Sequence, residues 1–360
     1  MSLIQKNNRI SQHSFGQLSN GQEAKLFVLS NKAGTTVSIS NYGAIITALS
    51  VPDNKGYFED IVLGYDCVAD YEEDTYYLGA VIGRYAGRIK NGQITINDQV
   101  FQLELNAPNS QLHGGKKGLN KQLWQASIVE GDTNVTLQLS YTSPDGEEGF
   151  PSTVSFTVHY TLSDDNELTV EYFATTDKAT IVNLTQHSYF NLSGHQHGTI
   201  NDHQLTLNAS YFLPMSEDVY PTGEVKAVVG SAHDFQQQRR IGDDIDGNNE
   251  QVIIGKGYDN YWLLNDEAIN QQTFAAKVIA PNTGRCMTLF TDQPSIILYT
   301  ANYIDGSHTG KNETCYQARS AFCLEPVRAV TKEYINDLTP VMLVPEQPFY
   351  SKTRYLFSVV

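Results

Sequence analysis

Two segments far apart in the chain each set one proton-transferring side chain inside a run of apolar and aromatic residues. His187 stands in Thr185-Gln186-His187-Ser188-Tyr189-Phe190-Asn191-Leu192, and Glu325 in Phe322-Cys323-Leu324-Glu325-Pro326. A titratable group in such company loses hydration, which costs free energy unless a partner or a function compensates. An imidazole and a carboxylate so placed suit general acid/base catalysis, one giving a proton while the other takes one. Other chemistries find less support. His195 and His197 have metal-ligand spacing but sit in a Ser/Gly-flanked loop without a carboxylate or Cys set, so no metal site is expected. The glycine-rich stretches contain neither GxGxxG nor GxxxxGK[ST], so no nucleotide cofactor is expected.

Side chains this far apart in sequence need a rigid scaffold to meet, and the chain reads as strands. Val154, Phe156, Val158, Tyr160 and Leu162 alternate with Ser155, Thr157, His159 and Thr161, the period-2 pattern of a strand with one buried face. After the turn residues Ser163 to Asn166 the alternation resumes at Leu168, Val170 and Tyr172, predicting an antiparallel hairpin. Val135, Leu137, Leu139 and Tyr141 repeat the pattern upstream, separated from the hairpin by a Pro/Gly-rich loop from Ser143 to Pro151. Further strands are expected at 35–40, 93–96 and 295–300 from their β-branched and aromatic content. Helical periodicity is scarce, with short turns expected only near Asp66 to Asp74 and Thr331 to Asp337. No repeat, low-complexity run or long linker interrupts residues 1–360, so a single all-β domain is expected.

Composition narrows the function. At 360 residues with 40% hydrophobic and 18% charged residues, the chain has the material for a large core. A net charge of -16 repels phosphates and anionic lipid, which argues against nucleic acid and membrane surfaces as partners. Cys67, Cys286, Cys315 and Cys323 show neither disulfide-framework nor metal spacing. The first eight residues have no apolar core of a leader, and no stretch approaches the ~18 apolar residues of a membrane span, so a cytoplasmic location is expected.

The two chemical segments, with Gly83-Arg84-Tyr85-Ala86-Gly87-Arg88-Ile89, Asn106 through Leu112-His113-Gly114-Gly115, Ser143 to Pro151, Pro221-Thr222-Gly223 and Gly257-Tyr258-Asp259, form an ordered set spread over nearly the whole chain. This set resembles the signature regions of the aldose 1-epimerases, or galactose mutarotases. The resemblance implies a large, twisted antiparallel β-sandwich of the galactose mutarotase type with few short helices and a sugar site on its concave face. It implies Glu325 as general base and His187 as general acid, with Arg88, His113 and Asp259 binding the sugar. Tyr189, two residues beyond His187, would face the same side of a strand and pack on or hydrogen-bond the sugar. Arg84 reads equally as a sugar ligand and as a buried structural residue. The implied reaction opens a hemiacetal ring by taking the anomeric hydroxyl proton and protonating the ring oxygen, then recloses it to the other anomer. It needs no cofactor, and the partner is a small sugar; monomer and homodimer both stay open.

At Gly87, Gln186, Ile297 and Val327 the sequence departs from the family's common pattern. Ile297 stands where a sugar-contacting Gln is usual, so weaker discrimination at one hydroxyl, or a preference for a sugar other than galactose, is expected. Beside the leading reading, an isomerase exchanging α and β anomers of glucose or galactose, stand other possibilities: a non-catalytic sugar-binding or regulatory protein, a glycoside hydrolase using Asp259 and Glu325, and a phosphosugar epimerase, which would require more cationic residues than Arg88 and Arg84.

Overall fold

The computed structural model describes residues 9–130, 134–265, 272–331 and 339–360. The long alternating strands build one side of the molecule. Gln125–Glu130, Asn134–Ser143, Val154–Ser163 and Glu167–Thr176 run side by side, followed by Phe349–Val359, Arg285–Thr291, Thr273–Ile279, Gln204–Leu207 and Arg239–Arg240 in a nine-stranded sheet. Every pairing in it is antiparallel. The expected hairpin forms, with Val154 opposite Thr176 and Leu162 opposite Leu168. Its inward residues Val154, Phe156, Val158, Tyr160 and Leu162 are at most 1% exposed, so each contributes about 1.5–3 kcal/mol of burial.

Ile10–Gln17, Glu23–Ser30, Thr36–Ser40, Ile45–Pro52 and Phe58–Asp60 form an antiparallel meander. A second five-stranded sheet runs Lys226–Ala227, Ala209–Leu213, Asp259–Leu264, Ser295–Tyr299, Cys323–Val327. Phe27 and Val37 of the meander, Phe156 and Val158 of the large sheet, and Trp262, Ile296 and Leu324 of the second five-stranded sheet pack into one hydrophobic cluster. The described residues are thus an all-β sandwich.

Among the described residues, two short α-helices interrupt the strands. Val68–Glu73 falls at the first expected turn, although Cys67 occupies its N-cap without a side-chain capping bond. Glu250–Gly255 carries an Asn249 cap whose side chain accepts from the Gln251 amide, a signal in Asn249-Glu250 that the sequence reading passed over. The expectation at 331–337 lies outside the described residues apart from Thr331. No helix among the described residues is long and apolar enough to cross a membrane, and all four cysteines are free thiols.

Candidate active site

Three neighbouring strands of the second five-stranded sheet set the floor of the site. Pairing aligns Tyr261, Ile297 and Glu325 across the strands in one row and Asp259, Tyr299 and Cys323 in the next. Because side chains alternate along a strand, these six share one face, while Trp262, Ile296, Leu298 and Leu324 point to the main core. Above the floor opens a cleft of about 460 Å³ lined by Arg88, His113, His187, Tyr189, Asp259 and Glu325 among others, within the range of small-molecule sites. The six site residues expected from sequence therefore meet in one place.

His187 and Glu325 are 4% and 2% exposed, and Nε2 of the imidazole lies 3.6 Å from Oε1 of the carboxylate. Oε2 of Glu325 has no hydrogen-bond partner, leaving a buried acceptor in the cleft. Burial, reinforced by the charge of Asp259, pushes the Glu325 carboxyl well above the usual carboxylate range. Burial pushes the His187 imidazole down to about 4. The sequence reading pictured a protonated His187; desolvation instead favours a neutral imidazole facing a neutral carboxylic acid. Both descriptions hold one proton on the pair and differ only in where it sits.

The ring of Tyr189 stacks on His187 with centroids 5.0 Å apart, and its hydroxyl donates to the Tyr76 carbonyl at 2.7 Å. That hydroxyl is already committed, so Tyr189 packs against His187 and pins the neighbouring loop. Tyr77, held in the left-handed region at φ 61°, places its ring edge-on to His113 at 4.9 Å and roughly parallel to His187 at 6.2 Å. Asn106 donates to the Tyr77 hydroxyl and also clasps the backbone of Leu112, so this motif residue positions two walls of the cleft.

His113 also has φ in the left-handed region, and its Nδ1 accepts from the Gly87 amide at 3.2 Å. Burial, with Arg88 and His187 nearby, holds this imidazole well below its ordinary pKa. A neutral ring that accepts at Nδ1 carries its hydrogen on Nε2, which makes His113 a donor to a ligand. The following glycine is obligatory: at φ 89°, a Cβ on Gly114 would lie 1.8 Å from the Gly83 carbonyl oxygen. Glu148, from the Ser143 to Pro151 loop, accepts from the Lys116 and Lys117 amides and so braces this turn. Asp259 is raised to about 6 by burial, opposed by the positive charge of Arg88.

The structure separates Arg84 and the four departures from the family pattern by their distance from the cleft. Arg84 lies outside the cleft and donates to Ser143, Pro144, Pro151 and Ser152 at 2.8 to 3.1 Å, bracketing the Pro/Gly-rich loop. Gln186 faces the core, where its amide bonds the Tyr160 hydroxyl and the Gly79 carbonyl, so its departure from the family pattern does not reach the site. Val327 is fully buried and does not line the cleft. Gly87 does line it, and a Cβ there would meet the Tyr261 hydroxyl at 2.7 Å, so Tyr261 fills the space a side chain would need. Ile297 lines the cleft as expected, directly across from Glu325. His195 and His197 turn to separate partners, Tyr316 and Glu59. Tyr77, Tyr261, Tyr299 and Cys323 were not singled out by the sequence reading; the regular spacing Cys323-x-Glu325 could have flagged the last of them.

An all-β sandwich whose cleft sets a buried imidazole against a buried carboxylate has the groups for proton transfer. Comparison with known proteins agrees. The Aldose 1-epimerase family matches residues 25–356. A human galactose mutarotase is 37% identical over 346 residues, 96% of this chain and 97% of that one. An Escherichia coli aldose 1-epimerase is 34% identical over 80% of this chain and 81% of that one. The crystal structure of a galactose 1-epimerase from Lactobacillus acidophilus superposes with a TM-score of 0.86 at 26% identity, covering 97% and 98% of the two chains. The chain belongs to the aldose 1-epimerase family.

Proposed function

We propose that the cleft binds a free aldohexose and that Glu325 and His187 exchange its α and β anomers. The observation that carries the reading is the contact of two buried groups, an imidazole and a carboxylate with a spare oxygen, on the floor of a cleft large enough for a sugar. Glu325 takes the proton of the anomeric hydroxyl, and the electrons of that O–H bond become the second bond of the carbonyl. The C1–O5 bond breaks with its pair on the ring oxygen, which receives the proton of His187 Nε2. Rotation about C1–C2 and the reverse transfers close the ring on the other carbonyl face. The charged pair becomes the neutral pair as the ring opens, so the state that burial favours is also the state facing the open-chain aldehyde. Desolvation thus lowers the cost of the step that creates it.

Arg88 and neutral His113 donate to sugar hydroxyls, Asp259 accepts from them, and Tyr189 holds His187 in place. Ile297 offers no hydrogen bond beside the base, so discrimination at one hydroxyl is weak and galactose is not strongly preferred. The family match disfavours the hydrolase reading of Asp259 and Glu325. We place this activity on one continuous domain. Polarimetry on freshly dissolved α-glucose and α-galactose is the test: the protein accelerates mutarotation over buffer, and no acceleration on any aldose would remove the proposal.

A further inference from the structure

The strand Cys323–Val327 reaches both nitrogens of one imidazole. Cys323 and Glu325 are two residues apart and share a face; Sγ of the first lies 3.5 Å from Nδ1 of His187, and Oε1 of the second lies 3.6 Å from Nε2. The donor atoms of the three residues all fall within 4.8 Å of one another. The rings of Tyr189, Tyr77, His113 and Tyr299 also lie close to His187, and a backbone hydrogen bond opposes part of the downward shift of its imidazole.

We infer that Cys323 is a positioning residue for the acid, its sulfur accepting the Nδ1 hydrogen of His187 so that Nε2 alone exchanges protons with the sugar. The inference rests on the acid/base reading above. For Nε2 to deliver its proton to the ring oxygen and later take it back, Nδ1 must keep its hydrogen in both the charged and neutral ring. If Nδ1 lost that hydrogen, the neutral ring would hold one on Nε2 and could not recover the proton at reclosure. A thiol suits the place because sulfur is a weak acceptor. A carboxylate there would raise the basicity of the ring, as it does for histidines whose second nitrogen faces one, and turn the acid into a competing base. Cys323 is fully buried, and burial with the nearby Glu325 and Asp259 charges keeps its thiol protonated, so it adds no charge beside the imidazole.

The test combines steady-state mutarotation with ¹⁵N NMR of the His187 ring, assigned by its absence from His187→Asn. Cys323→Ala is expected to lower kcat about 10-fold, the low end of the cost of removing a histidine's second partner, with KM changed less than about twofold. The Nδ1–H tautomer should lose population in the same variant. Cys323→Val, which fills the volume without a hydrogen-bonding group, is expected to behave likewise, and Cys323→Ser to restore both readouts. Wild-type kcat in the Ala and Val variants would overturn the inference, as would a lowered kcat with the tautomer unchanged, since that is packing alone. Glu325→Gln run alongside separates the two levels. If it turns over normally, the acid/base reading fails; if it is inactive while Cys323→Ala and Cys323→Val are normal, only the role of Cys323 fails.

Discussion

The two faces of the sheet that ends in Cys323–Val327 differ in purpose although they alternate residue by residue along the same strands. One face presents Trp262, Leu264, Ile296, Leu298 and Leu324 to the main core. The other presents Asp259, Tyr261, Ile297, Tyr299 and Glu325 to the cleft. Burial is stabilising on the first face because the groups are apolar; on the second it is costly, because two carboxylates are held where water cannot solvate their charges. The cleft face therefore spends stability to hold buried titratable groups, and the core face supplies it.

That contrast can be broken by substitution. The largest effect on turnover short of the base itself belongs to His187→Asn, which should lower kcat at least ~100-fold, the low end for loss of a positioned proton donor, while thermal unfolding changes little. On the opposite face, Trp262→Ala should cost about 3–5 kcal/mol in chemical denaturation while the folded fraction keeps its specific activity, because the deleted side chain is fully buried and never meets the cleft. A loss of kcat in proportion to stability at both positions would erase the distinction.

Acid and base act on the two regions with opposite signs. The folded pKa of Asp259 is raised to about 6, so its contribution to stability is present below the ordinary carboxylate value and is lost as pH rises through about 6. Asp259→Asn should thus be more stable than the parent above that pH, with the difference gone at low pH, while KM rises through the lost charged acceptor. His203 in the core is the reverse case. Its Nε2 accepts from the Leu192 amide and burial holds it down to about 3, so its contribution is present above the ordinary histidine value and is lost as pH falls toward about 3. His203→Gln should gain on the parent across that fall, measured by urea midpoints at each pH. The smallest expected effect is that of Ile297→Gln, which adds a hydrogen-bonding group beside Glu325. It should sharpen the KM ratio between glucose and galactose by up to about 10-fold, as one new hydrogen bond allows; an unchanged ratio would show that Ile297 does not read a hydroxyl.

How much of this was readable in the sequence follows from the same contrast. In Val154–Ser163 the inward residues are buried and the residues between them are exposed or partly so, and the alternation spells out strand, face and register. In Ser295–Tyr299 all five residues are buried, one set by core and the other by cleft, so polarity does not alternate and the strand shows only as an apolar run. The six candidates that line the cleft were legible because charge in an apolar run is unusual and because their motifs resemble a known family. Neighbourhood in sequence misled where geometry turned a side chain away. Gln186 precedes His187 yet points to Tyr160, while Val327 keeps the face of Glu325 and the hydrophobic cluster of Tyr261 and Ile297 but falls beyond the end of the cleft lining. Tyr77 was illegible for another reason: its place depends on a loop fixed by Asp74, whose carboxylate accepts from the Tyr76 and Leu78 amides.

The central claim is that a sugar ring opens between Glu325 and His187. Saturation transfer between the two anomeric protons of glucose reads that step at equilibrium, with the parent protein and with Glu325→Gln at equal concentration. The account predicts rapid transfer with the parent, transfer at the buffer rate with the variant, and sugar binding retained by both. Transfer at the parent rate in Glu325→Gln would contradict it.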